Sequence, residues 1–319
     1  MGAVPDIADV LTRVPSLSGR EVTWRRLEGG LSHSVYLVEV DGAPSVLRVL
    51  DPAISAAGLG IEPKQEIDNT ALAARSGGGP AVYEVVPDIP ALVIEYLPGR
   101  TMCAADVRDP ARIPAVAAAC RRLHSGPPFA NAFDIFDKRD ELLRISRRCG
   151  LRLPDRYLER LIDAEHVRAA LTAADPLPLV PCHNDLLAEN LIAQGDQIRI
   201  IDYQLSGQND PAFELGNIAA ESDYDPDLVE RLAAAYFGAA LTPALVARVR
   251  LNLIASNLTW ALWFTAHDGL LSRATDVAFD YTGEATDKWR QAQRDLDDPD
   301  FGRLLDTVVG RRNSATPTL

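Results

Sequence analysis

The sequence predicts an α+β protein with a small β-rich N-terminal lobe and a larger, mainly helical C-terminal lobe. Three observations predict it. Strand-like alternation of apolar residues dominates the first hundred positions, a Leu-Pro-Gly segment follows, and long Ala- and Leu-rich segments with helical periodicity come after it. We place the lobes at 1–96 and 97–319, with a hinge at 97–100. At 319 residues the chain is long enough for two such cores.

Each element follows from a local pattern. In the first lobe, apolar alternation predicts strands at 34–40, 46–50 and 91–96, and residues 66–74 suit a helix closed by three glycines and a proline at 77–80. In the second lobe the periodicity predicts helices at about 108–124, 137–149, 154–174, 226–238, 243–266 and 284–294. Two short strands, at 191–193 and 198–201, interrupt these helices and predict a hairpin.

The charge of the chain bears on its partners. Lys and Arg total 32 against 45 Asp and Glu, a formal net charge of -13, so we expect no nucleic acid or membrane partner, whereas a cationic small molecule fits the sign. The N-terminus carries Asp6 and Asp9 where a signal peptide needs a basic start, and no long apolar run occurs, which favours a cytoplasmic location. The four scattered cysteines suggest neither disulfides nor zinc.

The strongest chemical signal is the stretch HNDLLAENLI followed by IIDY. It places Asp185, then Asn190, then Asp202 beside apolar strand residues. Phosphoryl transfer needs one carboxylate to orient and deprotonate the attacking hydroxyl, and an amide with a second carboxylate to hold Mg²⁺ against the phosphates. Isolated Asp and Asn residues usually cap turns, but this spacing is typical of kinase-like phosphotransferases.

A candidate nucleotide-binding loop lies in the first lobe. Gly29 and Gly30 precede Ser32 and His33 just before a strand, and glycines there let backbone amides approach phosphates closely. A simple Gly-Gly hairpin turn would give the same pattern. The loop alone is therefore weak evidence, and it gains weight from the motifs around it.

A strand cation and a helix carboxylate support the same interpretation. Kinases hold the α- and β-phosphates with such a pair, normally a lysine and a glutamate. This chain has only three lysines, the first being Lys64, so Arg48 at the end of a strand is the candidate cation. Glu66 in the following helix is its candidate partner, although Arg48 also suits an exposed strand position.

Together with EIDNTALAA, GPAVYEVVPDIPALVIEYLPGRTM, IDYQLSGQNDPAFELGNIAAE, RRLHSGPPF and SNLTWALW, these motifs resemble the choline/ethanolamine kinase family. This family lies within the aminoglycoside-phosphotransferase-like group of protein-kinase-like enzymes. The resemblance extends from about residue 20 to about residue 300 and implies a bilobal protein-kinase-like fold. His33 replaces the usual Asn of the loop, Gln204 the usual Glu, and Leu187 a residue that is polar in many members.

The resemblance implies a role for each candidate residue. Asp185 would be the catalytic base, and Asn190 and Asp202 would bind Mg²⁺. The residues on the ATP side would be Gly29, Gly30, Ser32, His33, Arg48, Glu66, Glu95 and Leu97, the last two in the hinge beside adenine.

An aromatic wall near a carboxylate suits a quaternary ammonium, which is held by cation–π contact and charge attraction. Trp260 and Trp263 share a helix face, and Glu221 ends another helix. Such spacing alone favours core tryptophans, but the resemblance implies an acceptor pocket. Tyr281 is a weaker candidate for a third wall, as is Tyr224.

The sequence hypothesis is therefore an ATP- and Mg²⁺-dependent kinase acting on the hydroxyl of choline or a related amino alcohol. Two alternatives stay open. An aminoglycoside, other antibiotic or amino-sugar phosphotransferase would use the same phosphate machinery with another acceptor pocket. A nucleotide-binding pseudokinase would bind ATP without turnover. The oligomeric state is left open.

Overall fold

The computed structural model describes residues 7–27, 32–86, 88–271 and 279–310. Its N-terminal part has one antiparallel sheet with the strand order β1-β2-β3-β5-β4. Among the described residues of this part, three helices accompany the sheet. The elements are α1 (Ile7–Arg13), β1 (Val22–Arg26), β2 (Ser34–Val40), β3 (Ala43–Val49), α2 (Pro52–Ala56), α3 (Pro63–Ser76), β4 (Val82–Val85) and β5 (Ala91–Glu95).

Local chemistry explains how this sheet positions Arg48. Asp41 and Gly42 both have positive φ, 52° and 78°, which permits the tight turn between β2 and β3. The register then places Arg48 opposite Val35 on one side and Leu92 on the other, near the end of a central strand. Helix α3 ends at Ser76 and is capped by Gly77, whose φ of 75° is left-handed.

The C-terminal part is mainly helical, as expected, with two small antiparallel sheets of order β10-β7 and β6-β8-β9. Its strands are β6 (Arg100–Thr101), β7 (Val180–Cys182), β8 (Leu191–Gln194), β9 (Gln197–Ile200) and β10 (Gly207–Asn209). Its helices are α4 (Ala104–Arg108), α5 (Ile113–His124), α6 (Ile135–Cys149), α7 (Leu161–Ala173), α8 (Pro211–Glu221), α9 (Pro226–Phe237), α10 (Pro243–Leu271), α11 (Tyr281–Leu296) and α12 (Phe301–Val308).

Two of the predicted helices are shorter in the structure than the sequence pattern indicates. The segment 108–124 is broken between α4 and α5, because Pro110 cannot continue a helix and disfavours helical backbone at Asp109. The segment 154–174 starts as a short 3-10 turn at Tyr157–Arg160, and α7 begins only at Leu161. Arg156, with φ of 64°, prevents one continuous helix.

The largest hydrophobic core belongs to the C-terminal part, and Leu59 and Ala73 from the α2–α3 region join it. Smaller clusters lie on the two faces of the N-terminal sheet. The four cysteines are free. Within the described ranges, no helix combines the length and apolar character needed to cross a bilayer.

Candidate active site

Asp185 lies on the loop between β7 and β8, and the backbone of this loop is held from several sides. The Asn190 side-chain amide donates to the Asp185 carbonyl oxygen at 2.9 Å. His183 Nδ1 accepts from the Asp185 N–H at 3.2 Å, so its Nε2 carries the proton and donates to the Ile201 carbonyl at 2.8 Å. The Ile201 N–H donates to the Asn190 carbonyl at 3.0 Å. The loop carrying Asp185 is thereby tied to the segment carrying Asp202.

Two residues of α8 complete this support, although the sequence motifs indicate no role in loop positioning for either of them. Glu214 accepts the backbone N–H groups of His183 and Asn184, both at 2.7 Å. Asn217 accepts the Leu186 N–H at 2.6 Å. Burial opposes ionisation of Glu214, but its hydrogen bond with His124 and the nearby imidazoles lower its pKa overall. The available sequence signal was a Glu and an Asn three residues apart in a helix that is mostly apolar.

The Arg48 guanidinium contacts two carboxylates. Its Nε donates to Glu66 Oε1 at 3.0 Å, and its Nη2 contacts Asp202 Oδ1. Burial works against the charge on Arg48, but Asp202 and Glu66 raise its pKa. Burial likewise disfavours ionised Asp202, yet Arg48 lowers its pKa. The two residues expected to pair are in contact, and their roles toward ATP stay predictions.

His33 supports Glu66 within the protein. Its Nδ1 accepts the Asp51 N–H at 3.0 Å, so Nε2 carries the proton and faces Glu66 Oε2 at 3.2 Å. Both ring nitrogens are therefore engaged by protein groups. Burial opposes ionisation of Glu66, but His33 and Arg48 lower its pKa. This histidine helps to keep Glu66 ionised and oriented.

Asn190 and Asp202 have the chemistry required of magnesium ligands. Asn190 uses its side-chain nitrogen for the loop, which leaves the amide oxygen for a cation. Asp202 contacts Arg48 through one oxygen, Oδ1. Amide and carboxylate oxygens are the hard donors that Mg²⁺ prefers. The residues present therefore fit the ion.

The cavity beside Asp185 has a volume of about 530 Å³. The expected phosphate-side and acceptor-side residues line it together. These are Ser32, Asp185, Asn190, Asp202, Glu221, Trp260 and Trp263. Burial, followed by the charges of Glu221 and Asp202, raises the pKa of Asp185 well above the ordinary value.

At the acceptor side, Glu221 already has a cationic partner. Lys288 Nζ on α11 lies 2.7 Å from Glu221 Oε2, and the two side chains are 4% and 3% exposed. Lys288 also donates to the Ala220 carbonyl at 3.1 Å. The resemblance implied that Glu221 faces the acceptor, whereas here one of its oxygens is bound to a lysine of the protein. The motifs gave no role to this lysine.

The aromatic wall of the cavity has two members that were not expected, Phe264 and Phe279, beside the two tryptophans. Trp263 is anchored through Nε1 to the Leu59 carbonyl at 2.9 Å. Tyr281 lies one layer behind the wall, with its ring 4.7 Å from that of Phe279. Its role as a third wall stays a prediction.

The remaining candidates lie elsewhere. Glu95 Oε2 accepts the Ala81 N–H at 3.0 Å and lies 3.2 Å from Arg199 Nη2, so its side chain is occupied. Leu97 is buried on the connection between the two parts of the chain. Gly29 and Gly30 lie outside the described residues. Tyr224 is buried, with its hydroxyl donating to the Val107 carbonyl, and the acceptor cavity does not include it among its described lining residues.

The sequence has recognisable relatives. Protein LicA of Haemophilus influenzae is 26% identical over 244 residues, covering 74% of this chain and 70% of LicA. The choline/ethanolamine kinase of Rattus norvegicus is 29% identical over 167 residues, which span 49% of this chain and 42% of the rat protein. The chain thus matches less than half of the length of the rat kinase.

Solved structures give the same result. A choline/ethanolamine kinase family protein from Mesorhizobium loti superposes with a TM-score of 0.80 and 29% identity, covering 95% of this chain and 97% of that one. The choline kinase LicA of Streptococcus pneumoniae, at 19% identity and a TM-score of 0.64, covers 86% of this chain and 93% of that one and shares the fold. The expected protein-kinase-like fold and the resemblance are confirmed. Because the model of the phosphotransferase enzyme family matches residues 23–251, the chain belongs to that family, as a choline/ethanolamine kinase-like phosphotransferase with an alcohol group as acceptor.

Proposed function

We propose that this chain transfers the γ-phosphoryl group of ATP, with Mg²⁺, to the hydroxyl of choline or a related amino alcohol. One observation carries the proposal. The same cavity is lined by the candidate phosphate-transfer residues Asp185, Asn190 and Asp202 and by the two tryptophans of the candidate acceptor pocket. An acceptor lying between them would present its hydroxyl to the catalytic carboxylate and its positive end to aromatic rings.

Each group has a distinct task in this proposal. Asp185 orients the acceptor hydroxyl and takes its proton as the oxygen attacks the γ-phosphorus, while the bond from the γ-phosphorus to the β,γ-bridging oxygen breaks and ADP leaves. Arg48, fixed by Glu66, contributes positive charge beside the phosphates. Asn190 and Asp202 would hold Mg²⁺, which supplies neutralising charge at the phosphate oxygens when bound. The two tryptophans exclude water and stabilise the cationic end of the acceptor.

The catalytic assignment is tested by Asp185→Asn. An amide cannot accept the proton, so we expect kcat to fall by about 10²–10⁴-fold with an unchanged circular dichroism spectrum. Asp196→Asn is the matched control, because Asp196 is exposed in the turn between β8 and β9 and should leave kcat unaltered. Near-normal turnover by folded Asp185→Asn would refute the assignment.

The acceptor is tested by a coupled ADP-release screen of choline, ethanolamine, amino sugars, aminoglycosides and thiamine-like alcohols. We expect turnover with one or more amino alcohols. Activity confined to aminoglycosides would refute the acceptor class and leave the role of Asp185 intact. ATP binding without turnover of any alcohol would identify a pseudokinase and refute the proposal.

A further inference from the structure

The charged side chains at the acceptor end of the cavity differ in whether another protein group pairs with them. Three carboxylates and one ammonium lie there: Glu221 at the end of α8, and Glu284, Asp287 and Lys288 on α11. Asp287 is paired with Arg290 at 2.6 Å and is 56% exposed. Glu221 is paired with Lys288. Among the described residues, Glu284 is the carboxylate of this group without a hydrogen bond or ion pair.

We propose that Lys288 and Glu284 determine how the cavity receives a cationic acceptor, with Lys288 occupying Glu221 and Glu284 binding the positive end. The inference rests on the proposed function, since it takes the acceptor to be a cationic alcohol. The family resemblance gave the role of binding the positive end of the acceptor to Glu221, and this inference assigns that role to Glu284. Neither Glu284 nor Lys288 belongs to the motifs that suggested the family.

Lys288 is a strong competitor for Glu221. Its ammonium is tethered to the protein and held by two acceptors, Glu221 Oε2 at 2.7 Å and the Ala220 carbonyl at 3.1 Å. A ligand ammonium arriving at Glu221 would have to displace a buried partner or lie beside a like charge. Removing Lys288 without a replacement would leave a buried carboxylate unpaired, so the pair is a stable part of the cavity wall.

The cavity wall nevertheless contains buried polar atoms that lack a hydrogen-bond partner among the described residues. The second oxygen of Glu221, Oε1, and the indole nitrogen of Trp260 are buried without a partner among the described residues. Buried polar atoms are normally satisfied, so such atoms in a cavity wall indicate a ligand or water that completes them. Lys288 neutralises only one carboxylate of the group, and the acceptor end keeps net negative charge.

Glu284 contributes to this negative charge on the cavity wall. It precedes Lys288 by one helical turn on α11, so both side chains lie on the face that lines the cavity. Burial, together with the charges of Glu221, Asp287 and Asp280, raises its pKa, while Lys288 acts in the opposite direction. A carboxylate destabilised in this way gains from a cation that binds beside it.

The test measures binding by tryptophan fluorescence, using the full chain with Mg²⁺ and a non-hydrolysable ATP analogue. Choline is the cationic probe, and 3,3-dimethylbutan-1-ol is its uncharged isostere. We expect Glu284→Gln to raise the Kd of choline by about tenfold or more and to leave the Kd of the isostere unchanged. Glu230→Gln is the matched control, because Glu230 is an exposed carboxylate of α9 that is not among the described lining residues, and its choline Kd should stay within about twofold of wild type.

A double variant, Lys288→Met with Glu221→Gln, removes the internal pair without stranding a charge. We expect it to retain choline binding within about threefold, because Glu284 remains. Loss of choline binding in the double variant but not in Glu284→Gln would assign the cation to Glu221 and overturn the inference. Wild-type binding by Glu284→Gln would overturn it as well. Choline binding that depends on Glu284 without any turnover would refute the proposed function alone.

Discussion

His267 on α10 is a buried titratable residue whose contribution to stability should depend strongly on pH. Its ring is fully buried, stacked on Tyr281 at 4.2 Å and tilted against Trp263 at 5.1 Å between ring centroids. Neither ring nitrogen has a hydrogen-bond partner among the described residues. Burial therefore lowers the pKa of His267 from the ordinary 6.5 to about 4.

The sign and size of the effect follow from this pKa. Below pH 6.5 the unfolded chain binds a proton at His267 that the folded chain rejects, so the free energy of unfolding falls as the pH falls toward about 4. At about 1.4 kcal/mol for each pH unit, the loss contributed by this one residue reaches about 2 kcal/mol at pH 5. At pH 8 both states are neutral here and the contribution vanishes.

Urea unfolding of wild type and His267→Phe at pH 8 and pH 5 measures the effect. Phenylalanine keeps the aromatic stack and removes the titration, so the variant should lose about 2 kcal/mol less stability than wild type between the two pH values. His166→Phe, on the exposed face of α7, is the matched control and should behave as wild type. Equal pH dependence in wild type and His267→Phe would refute the reasoning.

Two further predictions concern the phosphate side. Glu214→Gln should lower the free energy of unfolding by about 2 to 4 kcal/mol in urea titrations, because two backbone N–H groups lose a charged acceptor. The same variant should reduce kcat. The control Glu230→Gln, at an exposed position, should change neither the free energy of unfolding nor kcat. Arg48→Lys should raise the KM for ATP by about tenfold without changing the acceptor KM, because a lysine cannot donate from two nitrogens at once to Glu66 and Asp202. An unchanged KM for ATP would contradict the second prediction.

Much of the phosphate side was predictable from spacing alone. Asp185, Asn190 and Asp202 lie on one loop and the adjoining hairpin, so their separation along the chain nearly determines their proximity. Arg48 was identifiable as the candidate cation for the pair with Glu66, because lysine is so scarce in this sequence. The division into a β-rich N-terminal part and a helical C-terminal part followed from the change of periodicity after the first hundred residues, whereas the protein-kinase-like fold was implied by the family resemblance.

The acceptor side was less predictable because its contacts join distant parts of the chain. Lys288 reaches Glu221 from a helix far along the sequence, and no local pattern marks such a pair. Strand β1 was missed because four of its five residues are exposed, so VTWRR lacks the alternation of a half-buried strand. Proline at 110 was the available signal for the break between α4 and α5.

The region around α3 has a mechanical consequence. Helix α3 carries Glu66, and its Asn69 amide donates to Asn131 and Ser206 of the large lobe. The segment just before it is also held, by Trp263 at the Leu59 carbonyl and by the Gln204 carbonyl at the Ile61 N–H. At about 1 kcal/mol each, four such bonds make a detached helix about a thousandfold rarer than the docked one. A helix held in this way moves little relative to the large lobe, so Arg48 and Glu66 stay in contact between turnovers. An effector that acted by displacing α3 would therefore have little effect.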